Sequence, residues 1–519
     1  MKEIQLHYNC AGEYIIMSLI EHFIADHYVS VIIASLVFVL LRKYLQTKKS
    51  PPGPWSLPWI GHLFLLNKGD TRNTFRELRA QYGDLVSLSL GSLSILVVSG
   101  LDMLHEVFVK HGKYFDKRPQ MFTTVKVGQG KAVVNASGHV WREHRTFLVS
   151  NMKEIGISHI NFEANVLEEL QPFLQLLAST EGKDFDPRLC LQTATSNIIC
   201  SISFGKRFDY EDPDFKDILE IVESNMKLVG ATAIVNYFPF LEFLPGDMFK
   251  CKQCLNNVDK VQRILQTWID RHKLTLEPSK PRDIIDLYML DMQQKVQANL
   301  NTSMSEDQLL KLIGDLFVGG TETTATTLRW TLVFLVHHPE VQERIYSEIM
   351  TTLNGRTQLS VLDQRQMPFT SAVTMESQRL GDIAPFSLPH SNTEPVRIGS
   401  YVIPAGTLVI PNVNSVHLDP ELWANPSEFR PDRFLSDDGS LVKNSALMPF
   451  FIGQRVCPGQ SLAKLELFHF ITSIVQHFHI LPSLMEGLPQ LHGHLGLTYI
   501  PLPHTLRFVA RCQSEINPS

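Results

Sequence analysis

The sequence predicts one large, mainly helical domain tied to a membrane by an N-terminal anchor. Three observations carry that expectation: long apolar stretches with helical spacing, an uncharged run near the start, and no linker-like segment between them and the C-terminus.

The anchor comes first. Residues Tyr28 to Leu41 form an uncharged run that is mostly β-branched and aliphatic. Alone it is shorter than the roughly 17–25 residues of a spanning helix, but extending back to Phe23 supplies the length, with Asp26 and His27 at the interface. Arg42, Lys43, Lys48 and Lys49 follow it, whereas Glu3, Glu13 and Glu21 precede it. Basic residues stay on the cytoplasmic side, so the large C-terminal part is expected to face the cytosol. A cleaved signal peptide would carry its charges ahead of the apolar run, and a mitochondrial presequence would be poor in acidic residues. The sequence therefore divides into a lumenal tail (1–22), a retained signal anchor (23–41) and a basic, proline-rich linker (42–54). In the linker, Pro51-Pro52-Gly53-Pro54 cannot continue a helix and acts as a stiff spacer. Asn135-Ala136-Ser137 and Asn301-Thr302-Ser303 are glycosylation acceptors by pattern. Both are expected to stay unmodified, and a mobility shift on deglycosylation would reverse this orientation.

Composition bounds the rest. Of 519 residues, 44% are hydrophobic and 19% charged, the make-up of a folded globular protein. No Gly/Ser-rich stretch or charge block divides it, so residues 55–512 read as one catalytic domain before a short tail (513–519). Lys and Arg total 47 against 53 acidic residues, a net charge of -6, which leaves no nucleic-acid footprint. Gly128 and Gly130 form only the first half of a dinucleotide fingerprint, so electrons from a nicotinamide would have to arrive through another protein. Seven scattered cysteines, an odd number, suit a reducing compartment with a thiol kept for chemistry. Cys251 and Cys254 lack a second Cys or His pair and read as chance spacing on a helix.

The stretch Phe450-Phe451-Ile452-Gly453-Gln454-Arg455-Val456-Cys457-Pro458-Gly459 leads into a helix, Gln460 to Phe478, with apolar residues at helical spacing. Pro458 fits the first helical position and places Cys457 at the N-cap, where backbone N–H groups and the helix dipole favour thiolate over thiol. A thiolate can be a nucleophile or a metal ligand, and this loop holds no histidine to act as its base. Gly453 permits a sharp turn, Gly459 lets a flat cofactor approach the backbone, and Arg455 can bind a carboxylate. These features suit a haem, and the segment resembles the haem-binding signature of cytochromes P450, F-x-x-G-x-R-x-C-x-G. Phe451 departs from the small residue most relatives carry there.

Leu309 to His338 reads as a long apolar helix interrupted by Gly319-Gly320-Thr321-Glu322-Thr323-Thr324. Two glycines inside a helix cost on the order of 1 kcal/mol each, so something approaches the backbone there, or the helix loosens, or small residues serve helix packing. The segment resembles the oxygen-activating motif of the same family, with Gly319 where alanine is commoner. The resemblance makes Thr323 the alcohol and Glu322 the acid that deliver protons in a site closed to water. Glu376 and Arg379 share a helix face. In this order along the chain they resemble, with the later Arg433, the charge network that holds the P450 fold together; Asp432 replaces its usual glutamate. By the same resemblance Trp141, Arg145 and His390 bind haem propionates.

The resemblance runs from Pro51 to about Cys512. Asn197 to Gly205, Phe238 to Leu241 and Arg282 to Asp286 are similar to the microsomal family-2 branch. It implies a mostly helical fold with a few small β-sheets, haem b with Cys457 as axial ligand, and a single-pass anchor in the endoplasmic reticulum membrane. Membrane lipid, NADPH–cytochrome P450 reductase and in some cases cytochrome b5 are its implied partners. Its implied substrates are lipophilic: fatty acids, steroids or foreign compounds. Pocket walls by resemblance are Phe122 to Val127, Ala231 to Phe238, Leu316 to Gly320, Ile383 to Leu388 and Leu497 to Ile500. The polar tail before Phe23 exceeds the usual length, leaving open a start at Met17. Two other readings stand beside this one: a haem-thiolate isomerase or dehydratase acting on lipid peroxides without a reductase, and a non-catalytic haem or lipid-binding protein.

Overall fold

Caps and prolines set where the helices of this chain begin. The computed structural model describes residue 30 and residues 49–511, apart from 58, 67–69, 92 and 156–158. The expected tail and anchor (1–41) lie outside the described residues, save residue 30. No helix among the described residues is long and apolar enough to cross a membrane.

The principal helices are α1 (Thr71–Tyr82), α2 (Gly138–Ile155), α3 (His159–Ser179), α4 (Arg188–Phe204), α5 (Pro213–Tyr237) and α6 (Cys251–Leu274). They continue with α7 (Ile284–Gln297), α8 (Glu306–His337), α9 (Pro339–Leu353), α10 (Pro368–Gly381) and α11 (Gln460–His477). Asp70, Asp212, Asp283 and Ser305 accept backbone N–H groups in the first turns of α1, α5, α7 and α8. Those groups would otherwise be unpaired. Pro213, Pro339 and Pro368 open α5, α9 and α10, where a missing N–H costs nothing.

The chain divides into two compact units. In the smaller, the described parts are residues 30 and 49–52 and a hairpin of β4 (Val396–Ile398) with β5 (Tyr401–Ile403), where Val402 N–H donates to the Lys49 carbonyl at 2.7 Å. The larger unit holds all the principal helices and the remaining sheets. Its largest sheet has the order β1-β2-β6-β3, built from Leu85–Leu90, Leu93–Val98, Leu408–Pro411 and His390–Ser391. The β2–β6 pair is parallel and the other two antiparallel. Two antiparallel pairs complete it: β7 (Phe478–Pro482) with β10 (Leu506–Ala510), and β8 (Gly493–Leu495) with β9 (Tyr499–Pro501).

Helix α8 is the axis of the larger unit. It is buried on most of its circumference, polar residues such as Thr321, Glu322 and Arg329 included. It packs against α4, α10 and α11. The contact with α4 carries polar bonds as well: Thr195 Oγ1 donates to the Thr321 carbonyl at 3.0 Å, and Ser196 Oγ lies 2.6 Å from Thr321 Oγ1. Cys251 and Cys254 sit on α6 in an apolar cluster with Phe122 and Val235. Their role there is packing.

Candidate functional site

The cysteine loop takes its shape from two left-handed residues. Gly453 has φ +73°, and a Cβ there would stand 2.1 Å from the Phe108 carbonyl oxygen, so only glycine fits. Phe451 adopts φ +61° although it is not glycine, at a cost of roughly 1–2 kcal/mol. Its ring offsets that cost by packing against Phe108, with centroids 5.1 Å apart, and against His390 at 5.4 Å. The bulky side chain that departs from the family pattern thus fills an aromatic cluster.

Cys457 lies just ahead of α11, and here one expectation is corrected. The residue capping the helix is Gly459, and Gln460 is the first helical position; Pro458 and Gly459 form a turn. The extra turn lets the Gly459 N–H bond the sulfur directly, while Arg145 adds a nearby positive charge. Both favour thiolate, but the protein atoms crowding the recess outweigh them and push the thiol up. A bound cation would compete with the proton for this sulfur. Cys190, Cys200, Cys251 and Cys254 are buried, whereas Cys457 is open to solvent.

Around this sulfur the chain gathers positive charge. Arg145 donates to the Val456 carbonyl at 2.7 Å. Arg455 is buried and donates to the carbonyls of Asp116, Val133 and Ala136, with its guanidinium 4.1 Å from the centre of the Trp141 ring. Arg118 donates to the carbonyls of Val134 and Pro389 at 2.9 and 2.8 Å. Burial lowers the affinity of all three guanidinium groups for their proton, and Arg118 and Arg145 each lower that of Arg455 further. The Asp116 carboxylate, 3.8 Å from Arg142, is the acidic group that acts on Arg455 in the other direction. Among the described residues of this recess, two ring nitrogens are buried without a partner, Trp141 Nε1 and His390 Nε2. His390 Nδ1 lies 2.6 Å from the Phe115 carbonyl, so Nδ1 carries the proton and Nε2 of the neutral ring is an acceptor. Burial, then Arg118, hold His390 well below its usual range. An anion in this recess would relieve the cationic excess, pair the indole N–H and favour a proton on His390 Nε2. The residues present fit a flat, dianionic, metal-bearing group. Arg118 escaped the sequence reading, because an arginine before Pro119 gives no spacing signal by itself.

The oxygen-side residues separate. Helix α8 runs unbroken through the glycines. A Cβ on Gly320 would stand 2.4 Å from Ile199 Cγ1 and Cδ1 on α4, so this glycine serves close helix packing. A Cβ on Gly319 would have nothing within 4 Å, so this one faces open space. Thr323 Oγ1 donates to the Gly319 carbonyl at 2.7 Å. Glu322 is buried and accepts from Gln192 Nε2 and Thr326 Oγ1, both at 3.1 Å. Adjacent residues on a helix point about 100° apart, and the carboxylate and hydroxyl do not meet. Burial raises the pKa of Glu322. A second buried acid, Glu466 on α11, is pushed up to about 8 and is hydrogen-bonded by Thr324, tying the cysteine helix to α8.

Glu376, Arg379 and Arg433 lie together. Arg379 grips Glu376 through two bonds of 2.7 and 2.8 Å, and Arg433 Nε donates to the same carboxylate at 3.0 Å. Asp432 points elsewhere and pairs with Arg344 through bonds of 3.0 and 2.8 Å.

A profile of the cytochrome P450 family matches residues 51–508. The chain belongs to the cytochrome P450 family. Cytochrome P450 2J5 of Mus musculus is 33% identical over 493 residues, spanning 94% of this chain and 97% of its own. Cytochrome P450 2J2 of Homo sapiens is 34% identical over 483 residues (92% and 95%), and cytochrome P450 2B4 of Oryctolagus cuniculus 34% over 484 (92% and 98%). As a cytochrome P450 the protein is a monooxygenase, an oxidoreductase, and similar to microsomal family-2 members. P450s bind haem b and use NADPH through a reductase. The mainly helical architecture with small sheets accords with that fold.

Proposed function

We propose that this P450 is anchored in the endoplasmic reticulum membrane and inserts one atom of O2 into a lipophilic small molecule, with electrons passed from NADPH by a membrane-bound reductase. The observation that carries the site assignment is the open Cys457 sulfur beside a buried cationic recess with unpaired ring nitrogens. Cys457 would hold the iron, and Arg455, Arg145, Trp141 and His390 the propionates, with Gly453 and Gly459 keeping the loop close. When bound, haem supplies the metal at which dioxygen is reduced.

The chain's own residues then manage protons and water. Thr323 Oγ1, bonded to the Gly319 carbonyl beside open space, would hold a proton for the reduction of oxygen. Glu322 is the acid behind it; burial raises its affinity for a proton, which suits a group that passes protons on. Since the two side chains have separate partners, transfer requires rotation of Glu322 or a bridging water. Removing the hydroxyl separates electron use from oxygen insertion. Thr323→Ala is expected to consume NADPH while product per NADPH falls about a hundredfold and peroxide rises, the lower reach of general acid catalysis. A screen of fatty acids and sterols with purified protein, reductase and NADPH supplies the assay, and unchanged coupling would remove Thr323 from this role.

Support for membrane contact comes from two exposed apolar segments. One carries Trp55 and Trp59, 75% and 89% exposed, and the other Phe243 and Met248, 83% and 73% exposed. They adjoin at the β1–β2 turn: Gly91 N–H donates to the Ile60 carbonyl at 3.3 Å, and a Cβ on Gly91 would lie 2.3 Å from the Tyr237 carbonyl oxygen. Exposed apolar surface of this kind suits burial in a lipid interface. The glycosylation test of Asn135 and Asn301 reads the orientation.

A further inference from the structure

We propose that His417 is a positioning residue for the iron's sulfur ligand: it accepts the Met448 N–H and so ties the entry of the cysteine loop to the end of α10. The inference rests on Cys457 as that ligand and adds a residue that acts on it from a distance. His417 closes the short helix Asn414–His417, and its side chain is 1% exposed. Its Nε2 lies 3.1 Å from the Met448 nitrogen, whose N–H can only donate, so Nε2 accepts and the ring carries its proton on Nδ1. That proton faces Asp382 Oδ1 at 2.8 Å. Asp382 is buried at the C-terminal cap of α10, and its other oxygen accepts from Asn414 Nδ2 at 2.7 Å. Both ring nitrogens are thus engaged, one on each side.

The loop needs a tether at this end because part of its backbone is unfavourable by itself. Phe451 and Gly453 are both left-handed, and Phe451 has no glycine's freedom to be so. From Met448 the bonds run on in series. Its N–H is held by His417, and its carbonyl accepts the Phe451 N–H at 3.0 Å. The Phe450 carbonyl in turn accepts the Cys457 N–H at 3.0 Å. Arg145, on the Val456 carbonyl, holds the other end. Freeing Met448 would loosen the strained residue first and the cysteine next.

His417 also meets the buried charge trio. Its carbonyl accepts Arg379 Nη1 at 2.7 Å, from the same guanidinium that grips Glu376. One residue therefore joins the charge network, through its backbone, to the sulfur's loop, through its ring. Histidine suits the place because one rigid ring offers a donor and an acceptor pointing apart. An asparagine reaches only as far as Nδ1 and a glutamine as far as Nε2, so the two bonds can be removed separately.

The test uses the full, haem-loaded chain as wild type, His417→Asn and His417→Gln. Transfer of haem to apomyoglobin gives its rate of loss, the carbon monoxide difference spectrum the share of thiolate-ligated iron, and circular dichroism the helical content. His417→Asn leaves the buried Met448 N–H without an acceptor; haem should leave about tenfold faster and the thiolate-ligated share should fall, with the helices kept. His417→Gln keeps that acceptor and should stay within about twofold of wild type in both readouts. Equal loss rates in the two variants, or a wild-type rate in His417→Asn, would overturn the positioning role. So would loss of helical content in His417→Asn, which would make the contact a folding element. Wild type reads the ligand assignment separately: no thiolate signature there contradicts Cys457 as ligand and this inference with it. A wild-type signature that does not respond to His417→Asn contradicts this inference alone.

Discussion

Cys457→Ala is expected to give a chain that incorporates no thiolate-ligated haem and oxidises substrate at background rate. The loop holds no other side chain able to ligate a metal, since Arg455 and Gln454 flank a turn whose remaining residues are apolar. The other described cysteines lie buried in packed helices and cannot substitute. The protein atoms crowding the recess favour thiol over thiolate, so iron and proton would compete for one sulfur, and removing the sulfur removes the site for both. Haem content and the carbon monoxide difference spectrum measure the result, while circular dichroism shows whether the helices persist. Full retention of the wild-type spectrum would assign the iron ligand elsewhere.

Glu376→Gln should have the largest effect on folding. The Glu376 and Arg379 side chains are fully buried and that of Arg433 nearly so. One carboxylate answers both guanidinium groups, whose other hydrogen bonds go to backbone carbonyls such as those of His417, Pro426 and Ala424. Neutralising it leaves buried cations without an anion, at a cost of roughly 3–5 kcal/mol. Against a total stability of about 5–15 kcal/mol for a typical domain, that is enough to deplete the folded form. Yield of haem-loaded protein and its thermal midpoint should both fall sharply. Arg344→Gln, which breaks the exposed pair with Asp432 and a stack on the Phe369 ring, should change the midpoint far less. A similar loss in both variants would mean that burial of the trio is not what matters.

How much of this was legible in the sequence depends on how local each signal is. The loop from Phe450 to Gly459 reads well because its glycines, arginine and cysteine stand at fixed spacing within ten residues of chain, and the close approach to Phe108 explains why Gly453 must be glycine. The helix register did not read, since Pro458 suits a turn as well as a first helical position. Gly319 and Gly320 look alike in sequence, yet one packs on Ile199 and the other faces open space, because 100° of rotation separates them. Trp141 and Arg145 fall on one helix face by spacing alone; the stacking of Arg455 on Trp141 needs elements more than 300 residues apart to meet, which no local pattern encodes. Glu376 and Arg379 gain meaning only from their order before Arg433.

The central claim is that Cys457 and Thr323 serve one site that inserts oxygen from O2. The most direct measurement supplies purified protein, reductase and NADPH with isotopically labelled dioxygen and weighs the product. The account predicts one labelled oxygen atom per product molecule, dependent on NADPH and lost in Cys457→Ala. Conversion of a lipid hydroperoxide without NADPH, together with no labelled product when NADPH is present, would contradict it.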